Sequence, residues 1–234
     1  MHYAIIAAGE GSRLAQEGVS LPKPLVRLSG EPMIERLIRI FVRCGAESVN
    51  IIVNEHMTQV REFLEALELP VPLHLVVQTT PSSMHSFWHL SRVIPPGKFC
   101  LTTVDTIFRE EDFRGYIQAF EQDDTSDGMW AVTPFIDDEK PLYVDVDDAM
   151  RITAFRDQAW DGARYVSGGV YAMTHRAFPV LDDCIERGIS RMRNFQRALI
   201  DAGQCLKAYS IDKIVDVDHA ADIATAQAFI NTQA

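Results

Sequence analysis

The sequence predicts a three-layer α/β/α fold around a mixed, mostly parallel central sheet. Three observations carry that expectation. Short apolar runs alternate with helix-period segments through the first two-thirds of the chain. A glycine loop follows the first of these runs, at the kind of strand end where open α/β sheets bind ligands. Beyond residue 140 the alternation gives way to strand-like segments flanking Asp147-Asp148, which adds an antiparallel portion.

The elements follow in order. Residues 3–8 (YAIIAA) form a short apolar run that ends at Gly9 and reads as a buried strand. Ile34, Leu37, Ile38 and Phe41 recur at helical spacing within 32–44, and Gly45 supplies a stop. SVNIIV (48–53) is a strand, Val60, Phe63, Leu64 and Leu67 mark a helix, and LHLVV (73–77) is the next strand. A helix over 83–93, a strand at 99–104, a helix marked by Phe113, Ile117 and Phe120 and a strand at 129–134 complete the repeated β-α-β pattern. LYVDV and RITAF then flank the Asp147–Met150 turn as a hairpin, and YVSGGVYAM (165–173) is a strand with two interior glycines. Helices at about 175–186 and 190–202, strands at 205–210 and near Val215, and a helix from about 220 close the chain. No linker composition or internal repeat divides it, so 1–234 reads as a single domain whose antiparallel insertion covers an open sheet edge.

Composition narrows the function. With 47% hydrophobic and 24% charged residues the 234-residue chain has the makings of a folded globular protein. A formal net charge of −11 argues against nucleic acid and anionic lipid as partners, because both need a basic face. No apolar run approaches the roughly 20 residues that span a bilayer, and the N-terminus lacks a signal-peptide pattern. Cys44, Cys100, Cys184 and Cys205 are far apart and form no Cys-x-x-Cys pair, which points to reduced thiols in a cytoplasmic protein.

The most informative segment is Ala7-Ala8-Gly9-Glu10-Gly11-Ser12-Arg13-Leu14. Glycines let backbone N–H groups approach phosphate oxygens. Leu14 stands where a dinucleotide fingerprint needs a small third residue, and the Gly-Lys-Ser/Thr of a P-loop is absent. What remains is Arg13 and, ten residues on, Lys23 between Pro22 and Pro24. A planar fork and a rigidly presented point charge suit a triphosphate, whereas either residue alone would read as a solvated loop cation.

AAGEGSRL, then PKPL, then Gly30-Glu31-Pro32, resembles the N-terminal signature of nucleotidyltransferases of the sugar-1-phosphate pyrophosphorylase family. The resemblance implies a Rossmann-like fold of the nucleotide-diphospho-sugar transferase kind. It implies that the loop (Ala7, Ala8, Gly9, Gly11, Ser12) binds the nucleotide, with Arg13 and Lys23 as catalytic contacts, and that magnesium (Mg2+) is the cofactor. Asp105 ends the strand FCLTTV at a carboxyl edge, where the family places a metal-binding aspartate. The second ligand lies in a turn that reads here Asp216-Val217-Asp218-His219-Ala220-Ala221-Asp222-Ile223. Aligned on the motif it is Asp216, with Asp218 the alternative; Asp218 and Asp222 otherwise read as caps of the last helix.

The base site implied by the resemblance falls on Gln78 and on Ser82 and Ser83, which replace the family's Gly-Thr pair and leave the base preference open. Helix capping is the competing reading of the two serines. Gly168 and Gly169, before Val170-Tyr171, match the strand that lines the family's sugar pocket, though the usual Glu-Lys-Pro segment is missing. His85 and His89 lie four apart but lack a third zinc ligand, and Arg36, Arg39 and Arg43 read as a solvated helix face paired to acids.

The expected reaction is NMP transfer from an NTP to a phosphomonoester, first a sugar 1-phosphate, with release of pyrophosphate. Phosphocholine-like and other small phosphate acceptors, and a molybdopterin, stand behind it. A metal-dependent glycosyltransferase of the GT-A type and a non-catalytic nucleotide sensor are the alternatives. Oligomeric state is not legible.

Overall fold

The computed structural model describes residues 1–136 and 139–232. Strand β1 (His2–Ala7) leads through the glycine loop into a short helix α1 (Ser12–Gln16), and a single 3-10 turn holds Lys23–Leu25. The two-residue strands β2 (Arg27–Leu28) and β3 (Glu31–Pro32) precede helix α2 (Met33–Arg43). Then come β4 (Ser48–Val53), α3 (Thr58–Glu65), β5 (Leu73–Val77), α4 (Ser83–Ser91) and β6 (Phe99–Thr103). Strand β7 (Thr106–Ile107), α5 (Glu110–Gln122), β8 (Gly128–Thr133), β9 (Tyr143–Val146), β10 (Ile152–Arg156) and β11 (Tyr165–Met173) follow. Helices α6 (Ala177–Glu186) and α7 (Met192–Asp201), strands β12 (Leu206–Ser210) and β13 (Val215–Asp216), and α8 (Ala220–Asn231) complete the order.

Nine strands form one sheet whose main path runs β10-β9-β11-β6-β1-β4-β5, with β8 bonded to β11 and β12. β1 is parallel to both β4 and β6, and β4 to β5. β11 runs antiparallel to β6, β8 and β9. The mixed, mostly parallel character is as expected. The β9–β10 hairpin extends one edge of the sheet, and Asp147 fixes its turn by accepting the N–H groups of Ala149 and Arg151.

Both faces of the sheet are covered, and β1 shows why. Its residues are all buried, but alternate ones belong to different cores. Tyr3, Ile5 and Ala7 join Phe41, Leu64, Phe113 and Phe120 of α2, α3 and α5. Ala4, Ile6 and Ala8 join Phe87, Leu90, Leu181 and Phe195 of α4, α6 and α7. A strand buried on both faces loses the polar alternation of a half-exposed one, which is why YAIIAA is a continuous apolar run. A third cluster packs Leu14, Val26, Leu28 and Met33 against Val215, Val217 and Phe229. It fastens the segment after the glycine loop to the turn before α8. Among the described residues no helix is long and apolar enough to cross a membrane.

The arginine stripe on α2 is only partly a solvated face. Arg39 pairs with Glu31 and Glu110, and Arg43 with Glu110. Arg36 is buried, donates to the carbonyl of Phe108 at 2.6 Å, and has its pKa pushed down to about 10 by burial. At helical spacing three arginines share a face broadly, but 3.6 residues per turn rotates Arg36 toward the core that Arg43 escapes.

Candidate active site

Two turns from distant parts of the chain meet beside the glycine loop. Asp105 leaves β6, and Asp218 stands between β13 and α8. The β7–β13 ladder pairs Thr106 with Asp216 and Ile107 with Val215, and the Val217 N–H donates to the Asp105 carbonyl at 3.1 Å. The two carboxylates are thereby brought to one cation. The Lys23 ammonium lies 2.5 Å from Asp105 Oδ2 and 2.7 Å from Asp218 Oδ1. Arg13 Nη1 donates to the other Asp218 oxygen at 3.0 Å. Lys23 is buried, and burial alone would lower its pKa; Asp105 and Asp218 outweigh that and hold it above the ordinary lysine value. Burial would likewise raise Asp218, but the bond from Lys23 and the nearby charges leave its carboxyl below the usual range.

Prolines explain how a lysine is held there. The segment Pro22-Lys23-Pro24-Leu25 has two fixed φ angles and closes into a 3-10 turn through Leu25 N–H to Pro22 O, 2.8 Å. Gly11, at φ +62°, lets the loop pass directly over this lysine. A Cβ at Gly11 would stand 2.9 Å from Lys23 Cβ, so glycine is required by both backbone and space.

The resulting cleft is about 660 Å3 in volume. Ala8, Gly9, Gly11, Ser12, Arg13, Lys23, Ser82, Ser83 and Asp105 all line it, as does Asp218. Ala7 does not, because strand alternation turns it into the opposite core while Ala8 faces the cleft. Gln78 lies outside the lining as well; its amide turns back to the Thr79 carbonyl at 3.3 Å. Sequence reading missed Asn54, Thr79, Thr80, Ser86 and Thr103, which complete the walls. Asn54 is buried and accepts from Thr79 Oγ1 at 3.1 Å. Its signal was available, since it follows the last residue of β4 at the same carboxyl edge that marks Gly9 and Asp105. Ser82 accepts or donates to His85 Nδ1 at 2.8 Å, and Thr80 bonds Ser86 at 2.6 Å, so hydroxyls form a connected wall at the start of α4.

A second, much smaller pocket of about 80 Å3 adjoins the first and shares Arg13 and Asp218 with it. Gly168 and Asp216 line this side pocket. Gly168 is tightly placed, since a Cβ there would lie 2.3 Å from Ile214 Cδ1. Gly169 is not in the lining; it has φ +73° and packs against Thr106 Oγ1. The phenol of Tyr171 is held near both pockets' acids. Burial pushes its pKa up to about 12, and the charges of Asp216 and Asp105 add to the shift.

The two aspartates left open as second ligand stand in different places. Asp216 faces the side pocket, and Asp218 sits with Asp105 on Lys23. Capping of α8 falls to Asp222, whose Oδ2 accepts the N–H groups of Asp218 and His219 at 2.9 and 2.6 Å. The pairing with β7 ends at Asp216, so the two aspartates no longer share the face that a continued strand would give them.

Two carboxylates converging on one ammonium are also a donor set suited to a hard cation. Among the described residues no group of three or more His, Cys, Asp or Glu could hold a metal by itself. A two-carboxylate site matches magnesium, which usually takes one or two carboxylates and fills the rest of its shell with phosphates and water.

Comparison with known proteins bears on this geometry. The profile of the MobA-like NTP transferase domain matches residues 3–200. The chain is 27% identical over 157 residues to the bifunctional IPC transferase and DIPP synthase of Thermococcus kodakarensis, covering 67% of this chain and 32% of that protein. It is 29% identical over 111 residues to the 2-aminoethylphosphonate cytidylyltransferase of Lancefieldella rimae, covering 46% of this chain and 44% of that one. The matches thus span only 32% and 44% of the length of these curated relatives. Among solved structures, the inositol-1-phosphate CTP transferase from T. maritima superposes with a TM-score of 0.83 at 20% identity, over 99% of this chain and 96% of that one. A putative glucose-1-phosphate thymidylyltransferase from Bacillus anthracis gives a TM-score of 0.85 at 20% identity, over 98% and 94%. At such identity these likenesses establish the fold.

Proposed function

Since the chain belongs to the MobA-like NTP transferase domain family, we propose that it transfers a nucleoside monophosphate from an NTP to a small phosphate- or phosphonate-bearing acceptor. The observation that carries the reading is the convergence of Arg13, Lys23, Asp105 and Asp218 at the mouth of the glycine-loop cleft. An oxygen of the acceptor phosphate attacks the α-phosphorus in line. The new O–Pα bond forms as the bond from Pα to the β-bridging oxygen breaks, and the electron pair leaves on pyrophosphate. A phosphate monoester with second pKa near 6 is already largely ionised at neutral pH, so no general base is required.

Catalysis is then positioning and charge neutralisation. The loop backbone around Gly9, Gly11 and Ser12 and the Arg13 guanidinium hold the β- and γ-phosphates. Lys23 contacts the α-phosphate or the incoming monoester. Asp105 and Asp218 would hold magnesium, which neutralises charge on the reacting phosphates when bound. Hydroxyls of Ser82 and Ser83 face the nucleoside end of the cleft. We read the chain as one catalytic domain and assign it to the cytoplasm, in keeping with its four free cysteines.

Pyrophosphate release tests this directly. The four NTPs are each combined with sugar 1-phosphates, phosphoalcohols and phosphonates, with magnesium and with EDTA. Metal-dependent pyrophosphate from one pair supports the reading. No pyrophosphate from any NTP, but nucleoside diphosphate released from an added nucleotide sugar, would identify glycosyl transfer. NTP binding without turnover against the whole panel would identify a sensor.

A further inference from the structure

Lys23 already holds both carboxylates that would serve a metal. Its ammonium bridges Asp105 Oδ2 and Asp218 Oδ1 at 2.5 and 2.7 Å, and Arg13 takes the other Asp218 oxygen at 3.0 Å. Both oxygens of Asp218 therefore face a cation of the chain's own. A magnesium ion on either bridged oxygen would sit about 2.1 Å from it, hence within about 5 Å of the ammonium, and the two cations repel. Metal and ammonium compete for the same pair of oxygens. One partner must yield, and the carboxylates are not free to. The Asp105 carbonyl accepts the Val217 N–H at 3.1 Å, and its neighbour Thr106 pairs with Asp216 in the β7–β13 ladder. The Asp218 N–H donates to Asp222 Oδ2 at 2.9 Å. The Lys23 backbone is fixed as well, by the Pro22–Leu25 turn beneath Gly11, but the four-carbon stem beyond it is flexible. The ammonium is the part that can move. It need not leave the cleft to do so, because Gly9, Gly11, Ser12, Lys23, Asp105 and Asp218 line one cavity.

We propose that Lys23 is the resident counter-ion of the metal site and has two working positions. In the nucleotide-free protein it neutralises Asp105 and Asp218. When a triphosphate enters with magnesium, it swings to the phosphate oxygens and leaves the two carboxylates to the metal. The inference rests on the proposed nucleotidyl transfer and deepens it, by coupling the lysine's phosphate contact to metal entry. Charge stays matched throughout: the carboxylates trade one cation for another, and the ammonium trades carboxylate for phosphate. Two consequences follow. Metal alone meets the full competition of the ammonium, so the nucleotide-free protein holds it weakly. Metal and triphosphate strengthen each other's binding, by the same factor in either direction.

The test reads metal binding without turnover. Mn2+ is titrated into the nucleotide-free protein, and the unbound ion is followed by its EPR signal. Lys23→Met should bind Mn2+ about tenfold or more tightly than the wild type, the scale of one unit charge removed from beside a divalent ion. Lys23→Arg, which keeps a cation between the acids, should stay near the wild type. Arg13→Met removes an equal charge from Asp218 alone, at a side chain 54% exposed, and should give a clearly smaller gain. Adding Asp105→Asn to Lys23→Met should abolish the gain, which ties it to this carboxylate. A second readout uses only the folded wild type labelled with 15N-lysine, in which the Lys23 ammonium resonance is assigned by its loss in Lys23→Arg. It should hold its position with magnesium alone and move when magnesium and an α,β-methylene NTP are added together. Wild-type Mn2+ binding as tight as that of Lys23→Met overturns the inference. So does an equal gain in Arg13→Met, or a Lys23 resonance unmoved by metal and triphosphate together. Each of these leaves nucleotidyl transfer standing, because none depends on pyrophosphate release. Absence of NTP binding and of pyrophosphate across the whole acceptor panel sinks the proposed function itself.

Discussion

The cleft and the side pocket share Arg13 and Asp218 but are built in different ways. The cleft is lined by loops at the carboxyl ends of β1, β4 and β6, together with the Thr79–Ser83 segment, and its chemistry is backbone amide, hydroxyl and cation. The side pocket is assembled from the end of β8, the start of β11 and the β13–α8 turn, and its chemistry is carboxylate and apolar wall. One half is suited to an anion of fixed shape. The other is free to vary, because no single contiguous motif determines it. On the proposed reading, phosphate recognition is written in short local segments, whereas acceptor choice would depend on long-range packing.

The largest effect is expected at the shared cations. Lys23→Ala removes the charge on which Asp105 and Asp218 converge and should lower pyrophosphate release about 10²–10³-fold, on the scale of losing one transition-state donor. The same change leaves two carboxylates facing each other. Both are partly exposed, at 22% and 42% of the side chain, so the loss of stability should be only about 1–2 kcal/mol, well below that of a fully buried pair. A thermal melt alongside the rate measurement separates the two effects. Full activity in Lys23→Ala would remove the basis for the cleft assignment.

The two aspartates of the β13–α8 turn should give the next largest effects. Asp218→Asn should raise the magnesium concentration needed for half-maximal rate by about tenfold or more, as loss of one charged ligand implies. Asp216→Asn should act on the acceptor KM, with the magnesium requirement unmoved. The reverse pattern would return the metal to Asp216. Gly11→Ala then tests the loop itself. It forces an L-residue to φ +62° with its Cβ 2.9 Å from that of Lys23, so about 1–2 kcal/mol of backbone strain adds to displacement of the lysine. The expected result is roughly a tenfold fall in rate with a higher KM for NTP, read by steady-state pyrophosphate release.

The parts legible in the sequence were those determined by short-range pattern. YAIIAA, SVNIIV and the Ile34/Leu37/Ile38/Phe41 spacing each place their element because burial dictates the period. AAGEGSRL and PKPL likewise placed Gly9, Gly11, Arg13 and Lys23 at one cleft, since loop and lysine act within a dozen residues of each other. Asp216 and Asp218 were not separable. Two residues apart, they differ only in where the strand ends, and that is set by the β7–β13 pairing across more than 100 residues. Arg36 failed for the same kind of reason, because its buried partner is the carbonyl of Phe108, a group invisible to any charge pattern on α2.

The smallest effect lies at the outer rim of the side pocket, where α1 is tied to the start of α8. Glu17 Oε2 accepts the Ala220 N–H at 2.6 Å, and Glu17 Oε1 bonds His219 Nδ1 at the same distance. The Ala220 bond, then the histidine, lowers the Glu17 pKa, and the bond to Glu17 raises that of His219. A raised histidine pKa contributes stability that is fully present below the unfolded value, about 6.5, and is lost as pH rises through the folded one. A lowered carboxyl pKa contributes stability present above its unfolded value, about 4.3, and lost as pH falls through the folded one. The two windows overlap between roughly pH 4.5 and 6.5. Glu17→Gln should therefore melt below the wild type by its widest margin near pH 5.5 and by a narrower one near pH 8.5. Some deficit should persist at high pH, because the wild-type carboxylate still accepts the Ala220 N–H there and a neutral amide accepts it more weakly. Both groups are exposed, so the whole effect stays small and salt should shrink it. Melting curves of the two proteins at pH 5.5 and 8.5 decide the matter. A deficit unchanged across that range would mean that the Ala220 bond alone, and not the histidine charge, fastens the rim of the pocket to the glycine-loop side.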